Sequence, residues 1–301
     1  MSTTAVTLPR RAALWASVGD YVELTKPRIV ILVLTAVGAA AFAASWGQPH
    51  PLVLVHALVG TLLVAASGSA MNQWLERYPD SLMDRTAERP VAAGRLSASR
   101  ALGFALTLIV LGLVYLATTV GLTTTLWALL TWILYALVYT PLKRWTAWNT
   151  PVGAIAGALP VIIGWTATGA PLDLRAGGLF LILFLWQFPH FMAIAWLYRE
   201  QYGRAGMQML TVVDPSGRRA GLQAVSASLA LLPVSLVPVL ATPGGGAWLY
   251  GMLVVVMGIA QATCAVAFSL ALDRMTARRL LRASLLYLPA LLLLLMFVPW
   301  M

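Results

Sequence analysis

Apolar segments long enough to cross a bilayer follow one another along almost the whole chain. A transmembrane helix needs about 20 mostly apolar residues. Such segments are predicted at roughly 27–46, 51–75, 99–119, 121–141, 151–170, 177–198, 219–241, 246–270 and 281–300. Only 10% of the residues are charged, against about 25% in a soluble domain. The sequence therefore predicts an all-α integral membrane protein, a bundle of about nine transmembrane helices.

Lysine and arginine lie almost entirely on one side of this predicted bundle. Of the 20 Lys and Arg, Arg175 alone falls on the opposite side. The positive-inside rule places the amino terminus in the cytoplasm and the carboxyl terminus outside. We expect a multi-pass protein of the cell inner membrane, with the mitochondrial inner membrane as the less favoured alternative. Residues 1–22 are interpreted as a cytoplasmic arm and 23–301 as a single transmembrane domain. The basic residues are spread among loops, so nucleic acid is not an expected partner.

Oxygen-bearing side chains recur at every fourth residue where the second segment ends. They are Asn72, Glu76, Asp80 and Asp84, which share one face of a helix. Carboxylates stacked in this way repel one another unless a cation lies between them. Mg²⁺ prefers oxygen ligands and often bridges protein carboxylates to substrate phosphates. These four residues are therefore candidate catalytic and metal ligands, and Pro79 should loosen the helix just before Asp80.

Basic side chains accompany these acids. Arg77, Arg85 and Arg89 are interleaved with them, and Lys143 and Arg144 follow the fourth segment. Guanidinium groups bind phosphate oxygens through paired hydrogen bonds. The combination suits a diphosphate whose carbon tail lies in the membrane. On spacing alone, an ordinary charged loop with snorkelling arginines remains an equal alternative, and Lys143 and Arg144 can be topology markers.

The sixth segment contains polar residues in an otherwise apolar helix. Gln187 and His190 flank Pro189, and the segment ends in a second polar cluster that includes Glu200 and Tyr202. Intramembrane polar residues usually face the bundle interior and mark a functional cavity. A histidine satisfied within the core is the alternative interpretation. We therefore treat Gln187 and His190 as candidate ligand-binding residues.

These stretches together resemble the UbiA-type intramembrane prenyltransferases, and among them the haem O synthases (protohaem IX farnesyltransferases). The similarity covers roughly residues 20–300. It is carried by Thr25-Lys26-Pro27-Arg28, by Asn72-x-x-x-Glu76-Arg77-x-x-Asp80-x-x-Met83-x-Arg85-Thr86-x-x-Arg89-Pro90, by Tyr139-Thr140-Pro141-Leu142-Lys143-Arg144, by Gly157-Ala158-Leu159-Pro160 with Gly164-Trp165, by Trp186-Gln187-Phe188-Pro189-His190-Phe191, and by Gly206 with Met207-Gln208-Met209-Leu210. Two positions depart from the pattern. Glu76 stands where Asp is common, and Gln201 stands where an Asp is common, which leaves Glu200 as the only carboxylate there.

The resemblance implies an activity and a set of ligands. It implies transfer of a farnesyl group from farnesyl diphosphate to the 2-vinyl group of haem b, with addition of water, to give haem O. Asn72, Glu76 and Asp80 would hold Mg²⁺ with Asp84 as a helper, and Gln187 and His190 would contact the haem. The lipid bilayer is the medium, and haem A synthase or a terminal oxidase is a candidate partner.

Three other functions compete with this one. A UbiA-type prenyltransferase acting on an aromatic ring would be expected to carry a fuller acidic motif after the sixth segment. A transporter would usually show paired ionisable residues at mid-membrane or an inverted repeat. A haem-carrying electron-transfer subunit would usually need two axial ligands, whereas His190 alone lies well inside a segment.

Overall fold

The computed structural model describes residues 18–240 and 247–297, and in these residues the regular structure is helical throughout. Nine long helices can be followed in this part of the chain. They are α1 (Pro27–Ala44), α2 (Pro51–Leu75), α3 (Ala98–Thr119), α4 (Leu122–Leu142), α5 (Asn149–Ala167), α6 (Leu174–Leu197), α7 (Arg218–Val234), α8 (Ala247–Ala271) and α9 (Arg274–Phe297). All except the 17-residue α7 are long and apolar enough to cross a membrane. The predicted all-α membrane bundle is confirmed.

Helices α5 and α6 lie at the centre of the bundle. They pack against each other, α5 also contacts α1 and α4, and α6 also contacts α7 and α9. Their membrane-spanning windows are the most buried of the candidate spans, at 72% and 61%. A helix that is apolar all round is expected at such a position. Side chains on α5 and α6 are therefore the ones best placed to line an internal site.

Close packing of α5 depends on three glycines. A Cβ on Gly153 would lie 2.6 Å from the Tyr139 ring, one on Gly157 would meet the Gln187 carboxamide, and one on Gly164 would meet the Val37 carbonyl. Small residues let membrane helices approach closely. These contacts bring α4, α6 and α1 against the same helix.

Helix α2 ends at Leu75, earlier than the predicted break just before Asp80. Pro79 has no amide hydrogen to donate to the carbonyl of Leu75, and Arg144 Nη2 donates to that carbonyl instead, at 3.3 Å. A short helix, Arg77–Ser81, then carries Asp80 and ends before Asp84. The four-residue spacing therefore outlasts the helix at its last member, Asp84.

Two predicted boundaries in the carboxyl-terminal half also differ from the structure. Helix α9 starts at Arg274 rather than near 281, because the Asp273 carboxylate accepts the backbone amide of Thr276 at 2.7 Å and caps the helix. The predicted segment 219–241 is divided into α7 and a short helix, Val237–Leu240. Pro233 and Pro238, near the division, each lack an amide donor for a continuous helix.

The predicted cytoplasmic arm lies mostly outside the described residues. Residues 18–24 are helical, and their acids are bound by Arg95. The Arg95 guanidinium lies 2.7 Å from Asp20 Oδ1 and 2.6 Å from Glu23 Oε2. This contact fixes the residues just before α1 to the connection between α2 and α3. The division into an arm and a domain stays a prediction.

Candidate active site

A cavity of about 390 Å³ lies among α1, α2, α4, α5 and α6 and contains most of the predicted site residues. Its two ends differ in chemistry. The charged end is lined by Lys26, Asn72, Glu76, Asp80, Arg85, Arg89, Tyr139, Lys143 and Tyr202. The neutral end is lined by apolar side chains together with Trp186, Gln187 and His190. Such a cavity suits a ligand with an ionic head and a long apolar part.

Asn72 is the first residue of the charged end and is almost fully buried, at 1% exposure. Its Oδ1 accepts a hydrogen bond from Lys26 Nζ at 2.5 Å, and its Nδ2 donates to Thr140 Oγ1 at 3.0 Å. Burial lowers the pKa of Lys26 to about 7, and the nearby charge of Arg89 adds to this effect. The carboxamide is thus held between α4 and the residue that precedes α1.

Glu76 forms an ion pair with Lys143, 2.8 Å between Oε1 and Nζ. Burial alone would raise the pKa of this carboxyl group, but the charges of Lys143 and Lys26 outweigh burial and hold the pKa below its usual value. The Lys143 ammonium also lies 4.4 Å from the centre of the Tyr139 ring, a favourable cation–π distance. Glu76 is therefore an ionised carboxylate.

Asp80 pairs with Arg89, 2.7 Å between Oδ2 and Nη1. Its second oxygen, Oδ1, is buried and has no hydrogen-bond partner among the described residues. Burial, joined by the charge of Glu76, raises the pKa of Asp80 in spite of Arg89. A buried carboxylate oxygen without a partner is costly unless something binds it. A cation bound to this oxygen would balance its charge.

The oxygen atoms of the charged end fit a metal that is shared with a substrate. Within the described ranges, no three His, Cys, Asp or Glu side chains form a metal-binding group of their own. Mg²⁺ usually takes only one or two carboxylates and completes its octahedron with water and substrate phosphates. Glu76 and Asp80, with the amide oxygen of Asn72, provide such a partial set. The donors therefore suit a metal–diphosphate complex.

A π-helical turn in α4 places further groups at the charged end. The turn runs from Ile133 to Tyr139, and turns of this kind often occur at functional sites. Tyr135 and Tyr139 line the cavity, and Thr140 Oγ1 donates to the Tyr135 carbonyl at 2.8 Å. None of these residues was predicted as a site residue from the sequence, although Tyr139 and Thr140 lie in one of the recognised motifs.

Lys26 is also a site residue that the sequence analysis missed. Its charge was interpreted only as a marker of membrane topology, although its motif was recognised. In the structure its backbone is left-handed, with φ of 52°, which is uncommon for a residue other than glycine. This conformation precedes Pro27, the first residue of α1, and accompanies the contact of the ammonium group with Asn72 in the cavity.

The neutral end is held by hydrogen bonds to backbone carbonyls. Gln187 Nε2 donates to the carbonyls of Ala154 and Leu183, at 2.9 and 3.1 Å. Trp186 Nε1 donates to the carbonyl of Ser284 at 2.7 Å. The imidazole of His190 stacks on the Trp186 ring, with 4.9 Å between ring centroids. These groups have fixed orientations and carry no formal charge that needs a partner.

The remaining predicted residues divide into two groups. Arg85 and Tyr202 line the cavity, and Arg85 Nη2 donates to the Tyr202 hydroxyl at 3.0 Å. Those that do not line the cavity are Arg77, Asp84, Arg144 and Glu200. All four are exposed. Asp84 points instead toward Arg204, 3.6 Å away, with 77% of its side chain exposed.

Comparison with known proteins identifies the relatives of this chain. The model of the UbiA prenyltransferase family matches residues 31–286. The protoheme IX farnesyltransferase of Solibacter usitatus is 45% identical over 279 residues, covering 90% of this chain and 95% of the relative. That of Rhodopirellula baltica is 43% identical over 280 residues, covering 90% and 97%.

Solved structures show the same fold at low sequence identity. A structure of digeranylgeranylglyceryl phosphate synthase is 16% identical with a TM-score of 0.77, covering 94% of this chain and 98% of that one. A UbiA homolog from Archaeoglobus fulgidus, bound to DMAPP and Mg²⁺, is 17% identical with a TM-score of 0.68, covering 93% and 99%.

Proposed function

The chain belongs to the UbiA prenyltransferase family, and we propose that it transfers a farnesyl group from farnesyl diphosphate to the 2-vinyl group of haem b, with addition of water, giving haem O and diphosphate. The observation that carries this proposal is a cavity with one charged end and one neutral, aromatic end. Relatives that share 45% and 43% of their residues with this chain are protoheme IX farnesyltransferases. The protein is accordingly a multi-pass membrane enzyme.

The charged end binds the diphosphate in this proposal. Asn72, Glu76 and Asp80 would hold Mg²⁺, which when bound neutralises charge on the leaving diphosphate. Two observations support this assignment. The Oδ1 atom of Asp80 has no partner among the described residues, and a structural relative is bound to DMAPP and Mg²⁺.

The basic side chains of the charged end would bind the phosphate oxygens. Lys143, Arg85 and Arg89 all line the cavity. In the structure Lys143 and Arg89 are paired with protein carboxylates. If Glu76 and Asp80 held Mg²⁺, Lys143 and Arg89 would be free to pair with the diphosphate. Preorganised positive groups of this kind stabilise negative charge that develops in the transition state.

The remainder of the cavity protects the reaction from water. The carbon–oxygen bond of farnesyl diphosphate breaks with its electron pair on the diphosphate, which leaves an allylic cation. The vinyl group adds to this cation, and water then adds to the new cation with loss of a proton. The apolar walls formed by residues such as Trp132, Ile163 and Leu183 exclude other water from the allylic cation.

The acceptor is placed at the neutral end. Gln187 and His190 are proposed to contact the porphyrin or its iron, since both line the cavity on the central helix α6. Imidazole is a common axial ligand of haem iron. Stacking of His190 on Trp186 also offers a flat aromatic surface to a flat ligand.

Membrane orientation and partners are part of the same proposal. The amino terminus is placed in the cytoplasm and the carboxyl terminus outside, in the cell inner membrane, because the basic residues of the loops favour that orientation. The substrates are farnesyl diphosphate and haem b. A haem A synthase or a terminal oxidase would consume the product, and direct association with either is a proposal.

A product assay tests the function. The purified protein is incubated with farnesyl diphosphate, haem b and Mg²⁺, and the haems are separated by chromatography and weighed by mass spectrometry. We expect haem O, and no haem O when the Mg²⁺ is chelated. A parallel incubation replaces haem b with 4-hydroxybenzoate. An unchanged haem peak from folded protein, or prenylation of the benzoate instead, would contradict the proposal.

A further inference from the structure

Ser284 on α9 is joined to the neutral end of the cavity, although no sequence motif includes it. The residue is fully buried, at 0% exposure. Its Oγ lies 3.0 Å from Nδ1 of His190, and its backbone carbonyl accepts the indole hydrogen of Trp186 at 2.7 Å. One residue of α9 therefore contacts two of the aromatic rings that α6 presents to the cavity.

The hydrogen bonds of Ser284 favour one tautomer of His190. A serine hydroxyl has one hydrogen to donate. Ser284 Oγ lies 2.8 Å from the carbonyl of Leu281, which can only accept. With its hydrogen on that carbonyl, Oγ can only accept from the imidazole. Nδ1 of His190 must then carry the ring hydrogen, and Nε2 keeps a free lone pair.

The lone pair on Nε2 is available to a ligand. His190 lines the cavity, and among the described residues its ring makes a hydrogen bond through Nδ1 and none through Nε2. The ring plane is fixed as well, because His190 lies nearly parallel to Trp186, at 21°. Tautomer and orientation are thus both set before a ligand arrives. In metal sites, a histidine ligand commonly donates its other ring hydrogen to a neighbouring acceptor in this way.

We propose that Ser284 is a positioning residue that holds neutral His190 in the Nδ1–H form and so presents Nε2 to the iron of the haem substrate. The identity of the ligand as haem rests on the proposed function, whereas the tautomer of His190 does not depend on it. A serine that served only to join α6 to α9 would not require either tautomer of His190. The tautomer of His190 therefore distinguishes a positioning role of Ser284 from a purely structural one.

The tautomer can be measured directly in the wild-type protein. The chain has three histidines, so ¹⁵N-histidine labelling gives few signals, and a His190→Ala variant assigns the one of interest. We expect nitrogen NMR to show a protonated Nδ1 and an unprotonated Nε2 for His190. A protonated Nε2 with an unprotonated Nδ1 would overturn the inference, whatever the enzyme assay shows.

A haem titration tests the consequence for the ligand. Ser284→Ala removes the hydroxyl but keeps the backbone carbonyl that Trp186 uses. We expect the wild type to show an imidazole-ligated absorption spectrum with ferric haem b. In Ser284→Ala the dissociation constant should rise about 10- to 100-fold and that spectrum should be lost. His190→Ala should lose the same spectrum, and the double variant should be no weaker than His190→Ala alone.

Ser67 provides a matched control. It is also fully buried, and its Oγ accepts from Trp132 Nε1 at 2.9 Å and donates to the Ala105 carbonyl at 2.7 Å. Ser67→Ala therefore loses the same pair of hydrogen bonds but should leave the haem spectrum unchanged.

If Ser284→Ala binds haem like the wild type while the wild type makes haem O, the inference is wrong and the proposed function stands. If the wild type binds haem but makes no haem O, the proposed function fails and the positioning of His190 is still decided by the NMR result.

Discussion

The two ends of the cavity are built in different ways. At the charged end, Glu76 and Asp80 pair with basic side chains from other segments, and the residues lie at helix ends and in connections. At the neutral end, Trp186 and Gln187 lie inside α6 and donate to backbone carbonyls. Ion pairs exchange partners when a ligand brings its own charges, whereas bonds to the backbone of packed helices do not. The charged end is thus arranged for an ionic ligand and the neutral end for a preformed contact.

The largest expected effect distinguishes Asp80 from Asp84, two acids of the series predicted at every fourth residue. Asp80→Asn removes the charge that balances Arg89 and the oxygen proposed to bind the metal, so turnover should fall about 10³-fold. Asparagine has nearly the same shape, so the protein should remain folded. Asp84→Asn is the matched control, since this side chain is 77% exposed and outside the cavity. Turnover of the two variants and their thermal unfolding are compared. Normal activity in Asp80→Asn would remove Asp80 from the metal site.

A second prediction tests whether the charged end depends on paired charges. Lys143→Met leaves Glu76, at 5% exposure, as a buried carboxylate without its partner. The free energy of unfolding should fall by about 3–5 kcal/mol. Adding Glu76→Gln removes the unpaired charge and should recover most of that stability without recovering turnover. Losses that simply add in the double variant would show that the pair is not coupled.

A third prediction perturbs the neutral end through its backbone packing. The Cβ of Gly157→Ala would meet the Gln187 carboxamide, so Gln187 must move off its carbonyl partners. We expect a loss of about 1–3 kcal/mol in unfolding free energy and weaker haem binding. Gly103→Ala on α3 is the control, because nothing lies within 4 Å of its added Cβ. It should be neutral or stabilising by up to about 1 kcal/mol. Equal effects of the two substitutions would contradict the special role of Gly157.

The sequence was sufficient to predict the features of this structure that repeat along the chain. Apolar length predicted the bundle, and spacing brought Asn72, Glu76 and Asp80 to one end of a cavity. It failed at Asp84, because the short helix Arg77–Ser81 ends before that residue. Spacing assigns residues to one face only while the helix lasts.

Other site features depend on contacts between distant segments. Lys26 and Asn72 are 46 residues apart, and His190 and Ser284 are 94 apart. A single serine in an apolar helix has no periodic or compositional signal, so Ser284 could not be recognised from the sequence. The exposed positions of Arg77 and Arg144, outside the cavity, could not be predicted from the sequence either. A basic residue near a membrane surface is compatible with a ligand site and with a topology marker alike.

The central claim is that the two ends of one cavity bind different substrates, and the Michaelis constants of His190→Ala test it most directly. Both constants are determined by varying farnesyl diphosphate and haem b separately in the product assay. Loss of a contact made only by haem should raise the KM for haem b by about tenfold or more and leave the KM for farnesyl diphosphate unchanged. A rise in the KM for farnesyl diphosphate with no change for haem b would contradict the account.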